Sequence, residues 1–169
     1  MNCHPMLIQC AGPEVEDWLA LRQALWPHAS AQQHRQDIEK LLQRRARSVA
    51  FMARVPDAAF PGSGSAVPSV AGSAACIAFA EAVLRDDYVN GCQSSPVLFL
   101  EGLYVAPAFR RQGVARRLCT ALEQWGLQQG CTEFASDTAL SNFAAQEMHR
   151  ALGFAPTERV VFFRKPLNA

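Results

Sequence analysis

Residues 97–117 read VLFLEGLYVAPAFRRQGVARR, and the fold follows from how this stretch is parsed. Val97, Phe99, Leu100, Leu103, Tyr104 and Val105 supply the β-branched, aromatic and aliphatic side chains that suit a half-buried pleat, so the run opens as a strand. Gly102 interrupts it. A lone glycine inside a strand pattern marks a bulge, or a place where another molecule approaches the backbone. Pro107 ends the strand, and Arg110 to Ala115 turn into a helix with the spacing Arg-x-x-Gly-x-Ala.

Such a turn serves anion binding. The first N–H groups of a helix lack intrahelical partners, the dipole there is positive, and small residues at 113 and 115 let a phosphate reach the main chain. Arg110, Arg111, Arg116 and Arg117 place four cations within eight residues. The pattern lacks the Gly-Lys-Ser/Thr of a Walker loop and the three spaced glycines of a dinucleotide fingerprint, which leaves a pyrophosphate ligand of another kind. The plainer reading is an exposed basic helix start on an ordinary glycine turn.

The segment resembles the acetyl-CoA-binding motif of the GNAT superfamily of N-acetyltransferases, Arg/Gln-x-x-Gly-x-Gly/Ala. The resemblance continues through Asn142 and His149-Arg150-Ala151-Leu152-Gly153-Phe154, similar to the family's Asn-x(6)-Tyr-x-x-x-Gly-Phe helix, with His149 where most members carry Tyr. More narrowly, Asp87-Tyr88-Val89-Asn90-Gly91-Cys92, Phe99-Leu100-Glu101-Gly102, Ala135-Ser136-Asp137-Thr138 and Thr157-Glu158-Arg159-Val160 resemble the aminoglycoside 6'-N-acetyltransferases. The match spans roughly residues 15 to 166 and is densest after residue 85.

Composition frames these motifs. A chain of 169 residues, 50% hydrophobic and 18% charged, suits one compact domain burying about 70% of its unfolded surface. A net charge of +1 argues against a dominant nucleic-acid or membrane-binding field. The six cysteines form no C-x-x-C pair, and Cys76, Cys119 and Cys131 lie in apolar periodic segments, as buried reduced thiols would. No basic-then-apolar leader follows Met1 and no apolar run approaches 18 residues, so a cytoplasmic protein is expected. His4 and His34 read as surface residues. No His/Cys cluster has metal-ligand spacing, so no metal is expected.

Along the chain, Met6 to Cys10 can form a first strand. Val15, Trp18, Leu19, Arg22, Leu25 and Trp26 recur at helical spacing until Pro27 stops the helix. Ser30 is a candidate N-cap for a second helix with Ile38, Leu41 and Leu42 inward. Trp18 reads as core; Trp26 is either core or, as a residue at a helix end before proline, one that can face a pocket. Strands are expected at 48–55 and 73–84. Between them, residues 56–73 are rich in Gly, Ser, Pro and Ala and read as a flexible hairpin insertion within a single acetyltransferase domain, 1–169. Residues 85–96 form a polar loop. A helix with Val114, Leu118, Leu122 and Trp125 on one face follows, then a strand at 131–136, a helix from Ser141 or Asn142 with Ala144, Met148 and Leu152 inward, and a last strand from Arg159 to Arg164. The order β-α-α-β-β-β-α-β-α-β-β predicts an α/β domain with one mixed sheet and about four flanking helices.

The resemblance implies more. The strands at 97–105 and 131–136 would run parallel and splay at the bulge, admitting acetyl-CoA as co-substrate. Its pantetheine would pair with Leu103, Tyr104 and Val105, and its pyrophosphate would rest on Arg110, Arg111, Gln112, Gly113, Val114, Ala115 and Arg116, with Asn142 also in the cofactor site. Trp26, Tyr88, Glu101, Asp137 and Glu158 would line the aminoglycoside site, with His28 as a further candidate. The implied protein is a homodimeric antibiotic-resistance acyltransferase.

Three residues are candidates for proton handling. Glu101 lies beside the bulge in an otherwise apolar strand, where an unpaired charge is costly, and is a base candidate; otherwise it is an edge carboxylate paired with an arginine. Asp137 ends the neighbouring parallel strand, where α/β ligands collect, and is the second; otherwise it makes an Asx turn. The family's tyrosine at position 149 protonates the departing CoA sulfur; imidazole, with an unperturbed pKa of about 6.5, can do the same, or His149 is a helix-face residue hydrogen-bonded in the core. Two other functions fit the motifs: acetylation of a peptide, polyamine or other small amine, and a non-enzymatic acyl-CoA sensor, for which the acids at 101, 137 and 158 have no use.

Overall fold

The sheet is built strand by strand in chain order. In the computed structural model, which describes residues 5–10, 14–56 and 75–167, β1 (Met6–Gln9), β2 (Ser48–Val55), β3 (Ala75–Arg85) and β4 (Val97–Val105) pair antiparallel with their neighbours, and β5 (Phe134–Ser136) joins β4 in parallel. Helices α1 (Val15–Leu25) and α2 (Ala31–Gln43) precede β2; a 3-10 turn (Pro107–Phe109) and α3 (Val114–Gln128) lie between β4 and β5, and α4 (Phe143–Leu152) follows β5. The α/β class, the mixed sheet and the four helices agree with the sequence reading. The insertion at 56–73 falls, apart from Pro56, outside the described residues, as does His4.

Both faces of the central strands are covered, so β2 and β3 lose the alternation of a half-exposed strand and are buried almost throughout. On one face Ala80, Leu98 and Leu100 pack against Val114, Leu118 and Leu122 of α3. On the other, Met52 and Phe79 meet Trp18 and Leu21 of α1 and Ile38 of α2. Each large side chain so buried contributes about 1.5–3 kcal/mol. Gly126 lies in the last turn of α3, packed on β4: a β-carbon there would stand 2.8 Å from Leu98 Cδ2. The Ser30 cap forms as expected, its Oγ accepting the Gln33 N–H at 3.1 Å.

Three expectations are corrected. His34 is 1% exposed, stacked on Trp26 and donating from Nε2 to the Trp26 carbonyl at 3.1 Å, because it precedes Ile38 by one turn on the buried face of α2. Helix α4 has no buried residue: Met148 and Leu152 are half-buried and Ala144 is exposed. The expected strand from Arg159 to Arg164 is absent, since residues 154–167 form neither helix nor strand and Phe162 and Phe163 are 86% and 93% exposed. A strand needs a ladder partner. The segment has the composition for one, but among the described residues β5 ends the sheet with β4 as its neighbour and no strand lies on its other side.

Cys10, Cys76, Cys119 and Cys131 are buried free thiols. Burial pushes Cys76 and Cys119 up to about 12, which keeps them protonated and unreactive. Among the described residues no helix is long and apolar enough to cross a membrane.

Candidate active site

The site begins with a mismatch between β3 and β4. Glu81 pairs with Gly102 and Ala82 with Leu100, so Glu101 is the extra residue of a β-bulge. On the other edge of β4, pairing with β5 stops at Leu100 opposite Ser136. From Glu101 onward β4 has β3 on one side only, and the two parallel strands diverge at the bulge. Leu103, Tyr104 and Val105 lie along that open edge.

Chain direction then carries β4 into the arginine-rich turn. Arg111 has φ +61° and Gly113 φ +79°, a left-handed pair that turns the backbone into α3. Arg110 folds back, its Nε donating to the Val105 carbonyl at 2.9 Å; Gln112 Nε2 donates to the Ala108 carbonyl at 2.9 Å. Arg116 donates to the Ala151 carbonyl at 2.7 Å, tying α3 to α4. The Arg110 and Gln112 side chains hold the turn itself. Gly113 is the N-cap of α3, no side chain caps the helix, and a β-carbon on Gly113 would meet nothing within 4 Å. An open, uncapped helix start of positive potential, carrying Val114 and Ala115 in its first turn, fits a pyrophosphate. Asn142 is the N-cap of α4, its Oδ1 accepting from the Ala145 N–H at 3.1 Å.

A cleft of about 1410 Å³ opens on the α1/α2 face of the sheet. Trp26, His28 and Glu101 line it, together with Arg22, Asp37, Glu81, Arg85, Asp86 and Asp87. Trp26 lies against Gly102, with Phe79 edge-on to it and the Arg22 guanidinium 4.8 Å from its ring. Most of the cleft's carboxylates already hold a cation. Glu101 accepts from Arg85 at 2.9 Å, Asp37 from Lys40 at 3.1 Å, Asp86 pairs with Arg47, and Glu81 with Arg22. Glu101 is thus the bulge residue itself, and it is paired with an arginine.

Tyr88, Asp137 and Glu158 lie outside the cleft wall. Tyr88 is 74% exposed, and Asp137 and Glu158 are exposed at the end of β5 and beyond α4. Thr157 packs so closely on Gly91 that a β-carbon on residue 91 would stand 2.3 Å away. This contact sets Glu158 beside the loop that carries Tyr88.

Sequence reasoning passed over a buried cluster under the cleft floor. Glu81 is 2% exposed, accepting from Trp18 Nε1 at 2.9 Å and from Arg22, itself 6% exposed. Burial pushes the Glu81 carboxyl upward, opposed by the Arg22 guanidinium and the two hydrogen bonds. The signal was available: Glu81 in AFAEAV is as anomalous as Glu101 in an apolar strand, and Arg22 falls on the apolar face of α1. Asp37 gave no such signal on its polar helix. His149 sits on α4 with Nδ1 2.7 Å from the Ala145 carbonyl and Nε2 3.0 Å from Ser136 Oγ, its ring edge-on to Phe154. Among the described residues no group of three or more His, Cys, Asp or Glu could hold a metal ion.

A sheet that parts at a bulge beside an uncapped helix start, with a wide cleft opposite, is the architecture of an acyl-CoA-dependent transferase. The model of the acetyltransferase (GNAT) family matches residues 16–154, and the chain belongs to that family. It is 49% identical over 163 residues to the aminoglycoside N(6')-acetyltransferase type 1 of Serratia marcescens, covering 96% of this chain and 100% of the relative. The structure of the aminoglycoside N-acetyltransferase AAC(6')-Iy in complex with CoA superposes with a TM-score of 0.84 at 41% identity, covering 99% of this chain and 98% of that one. The same enzyme in complex with the bisubstrate analogue CoA-S-monomethyl-acetylneamine gives 0.80 at 41% identity, covering 97% and 99%.

Proposed function

We propose that the protein transfers the acetyl group of acetyl-CoA to the 6'-amine of aminoglycoside antibiotics, by direct attack in a ternary complex, and so confers antibiotic resistance. The observation that carries this reading is the parting of β4 and β5 at the Glu101 bulge, which opens the β4 edge between the α3 start and the Trp26 cleft. A thioester held along Leu103 to Val105 presents its carbonyl at the bulge, and its pyrophosphate reaches the Arg111–Gly113 turn. The acceptor lies against Trp26 and His28, and its ammonium groups are drawn by Glu101, Asp137 and Glu158.

Positioning is the larger part of the rate. Effective molarities for aligned reactants reach about 10⁵–10⁸ M, whereas a positioned general base contributes about 10²–10⁴-fold. Glu101 and Asp137 are the groups placed to take the ammonium proton, with Tyr88 on the loop after β3 and Glu158 on the segment after α4 closing the acceptor side.

Two coarser features belong to the same reading. The protein is a homodimer, supported by the exposed Val161, Phe162 and Phe163, by an α4 without buried residues and by a β5 paired on one side only. It works in the cytoplasm, where acetyl-CoA is made and where ribosome-directed drugs act.

The deciding experiment incubates the protein with acetyl-CoA and a kanamycin-type aminoglycoside and follows free thiol. Thiol release matched by one acetyl group on the 6'-amine is expected, together with raised drug tolerance in a susceptible bacterium. Equal turnover with peptides or polyamines and none with aminoglycosides would overturn the substrate assignment.

A further inference from the structure

Ser136 and His149 form a hydrogen-bond circuit where β4 and β5 part. Ser136 is the last β5 residue paired with β4, opposite Leu100, and the bulge begins at the next β4 residue. Its Oγ lies 3.2 Å from the Leu100 carbonyl oxygen and 3.0 Å from His149 Nε2. Nδ1 of the same ring lies 2.7 Å from the Ala145 carbonyl. A carbonyl only accepts, so Nδ1 carries a hydrogen whether the ring is neutral or charged. Nε2 is then the atom that gains and loses a proton.

The serine hydroxyl has one hydrogen to give. With Nε2 bare, that hydrogen goes to the imidazole. With Nε2 protonated, the N–H donates to Oγ, and the serine hydrogen is turned away from α4 toward the Leu100 carbonyl, at the mouth of the parted strands. Protonation of His149 thus turns the Ser136 hydroxyl toward the edge of β4 where the strands part, the edge on which the acyl donor is proposed to lie. The ring cannot drift from this alignment, because Phe154 stands edge-on to it at 5.3 Å and is itself packed on Phe134 at 4.9 Å. The circuit also lies on the α3/α4 side of the sheet, opposite the acceptor cleft, so amine and leaving group are served from different faces.

We propose that Ser136 is the group that protonates the departing CoA thiolate, and that His149 is the positioning residue that aims and resupplies it; the proposal rests on the acetyl-transfer reading above. As the tetrahedral intermediate collapses, the carbon–sulfur bond breaks and its electron pair leaves on sulfur. The Ser136 O–H proton passes to sulfur while the Nε2 proton passes to Oγ. The products are a free thiol, an intact serine and a neutral His149, which regains its proton from water.

The test compares Ser136→Ala, Ser136→Thr and His149→Phe in thiol release, with KM for both substrates, thermal midpoints and a proton inventory in mixed H₂O/D₂O. The expected result is a fall in kcat of roughly 100-fold in Ser136→Ala with both KM values unchanged, substantial recovery in Ser136→Thr, and a curved inventory in the parent. His149→Phe is expected to retain the KM values and to straighten the inventory. Parent-like kcat in Ser136→Ala would overturn the relay alone, as would loss in Ser136→Thr equal to that in Ser136→Ala and tracking the thermal midpoints. Absence of thiol release by the parent with any amine would refute the acetyl-transfer reading and the relay with it.

Discussion

The indole of Trp26 lies directly against Gly102: a β-carbon on residue 102 would stand 2.5 Å from Trp26 Cη2. Phe79 edge-on, His34 stacked at 6.4 Å and the Arg22 guanidinium 4.8 Å from its centroid hold the ring on its other sides, so the space open to it is the cleft. Gly102→Ala is therefore expected to displace the cleft wall. Acceptor kcat/KM should fall by about ten- to a hundred-fold while the KM for acetyl-CoA holds; steady-state kinetics with each substrate varied in turn checks this.

Gly113 presents the opposite case, with free space in front of it and φ +79°. Gly113→Glu places a side chain and a negative charge where the pyrophosphate would rest, at about 1 kcal/mol of backbone strain. Loss of acetyl-CoA binding in a folded protein is the expected outcome. Titration calorimetry showing parental affinity would refute the phosphate turn.

Arg22 and Glu81 are both buried, so removing one partner strands the other. Arg22→Met should destabilise the protein by about 3–5 kcal/mol, and the double change Arg22→Met/Glu81→Leu should recover much of that. Urea denaturation of the three proteins decides the matter, and a double variant no more stable than Arg22→Met would contradict it.

Glu133 accepts the backbone N–H groups of Gln93 and Ser94 and the Ser94 hydroxyl, and these bonds hold its carboxyl below the usual range. A carboxylate lowered by folding contributes stability that is present above its unfolded value, about 4.3, and is lost as pH falls through its folded value. Thermal midpoints of the parent and Glu133→Gln should thus differ at neutral pH and converge in acid. A gap that persists below pH of about 2 would assign the effect to packing.

Asp137 and Glu158 are exposed and have no hydrogen bond or ion pair among the described residues. If they hold drug ammonium groups, each contact is worth between about 1 and roughly 4 kcal/mol. Asp137→Asn and Glu158→Gln should each lower aminoglycoside kcat/KM by roughly ten-fold or more, with acetyl-CoA affinity barely moved, and added salt should weaken binding in the same order. Parental kinetics with kanamycin-type substrates in both variants would reduce these acids to surface charge.

The parts of the fold legible in the sequence are those that local chemistry decides. Gly102 announced the bulge, Pro27 and Ser30 marked where one helix stops and the next starts, and Gly113 marked the turn into α3. What remained hidden depends on partners far along the chain. His34 reads as polar until α2 is laid on α1 and the sheet. Glu81 becomes a buried ion only because Arg22, 59 positions earlier, lies above it. Residues 159–164 carry a strand's composition, but composition does not provide a neighbouring strand. The bond between Ser136 and His149 crosses from β5 to α4, and no spacing rule announces it.

If the cleft takes the acceptor as proposed, its carboxylates have a consequence for recognition. With Glu101 on Arg85, Asp86 on Arg47 and Asp37 on Lys40, the wall resembles a resin already loaded with counter-ions. An incoming polyamine must swap places with a resident guanidinium or ammonium, and each swap returns only the difference between two ion pairs. Selectivity then falls to geometry. A rigid ring system that reaches several of these anions at once displaces their occupants together, whereas a flexible amine of the same charge loses conformational freedom for little return.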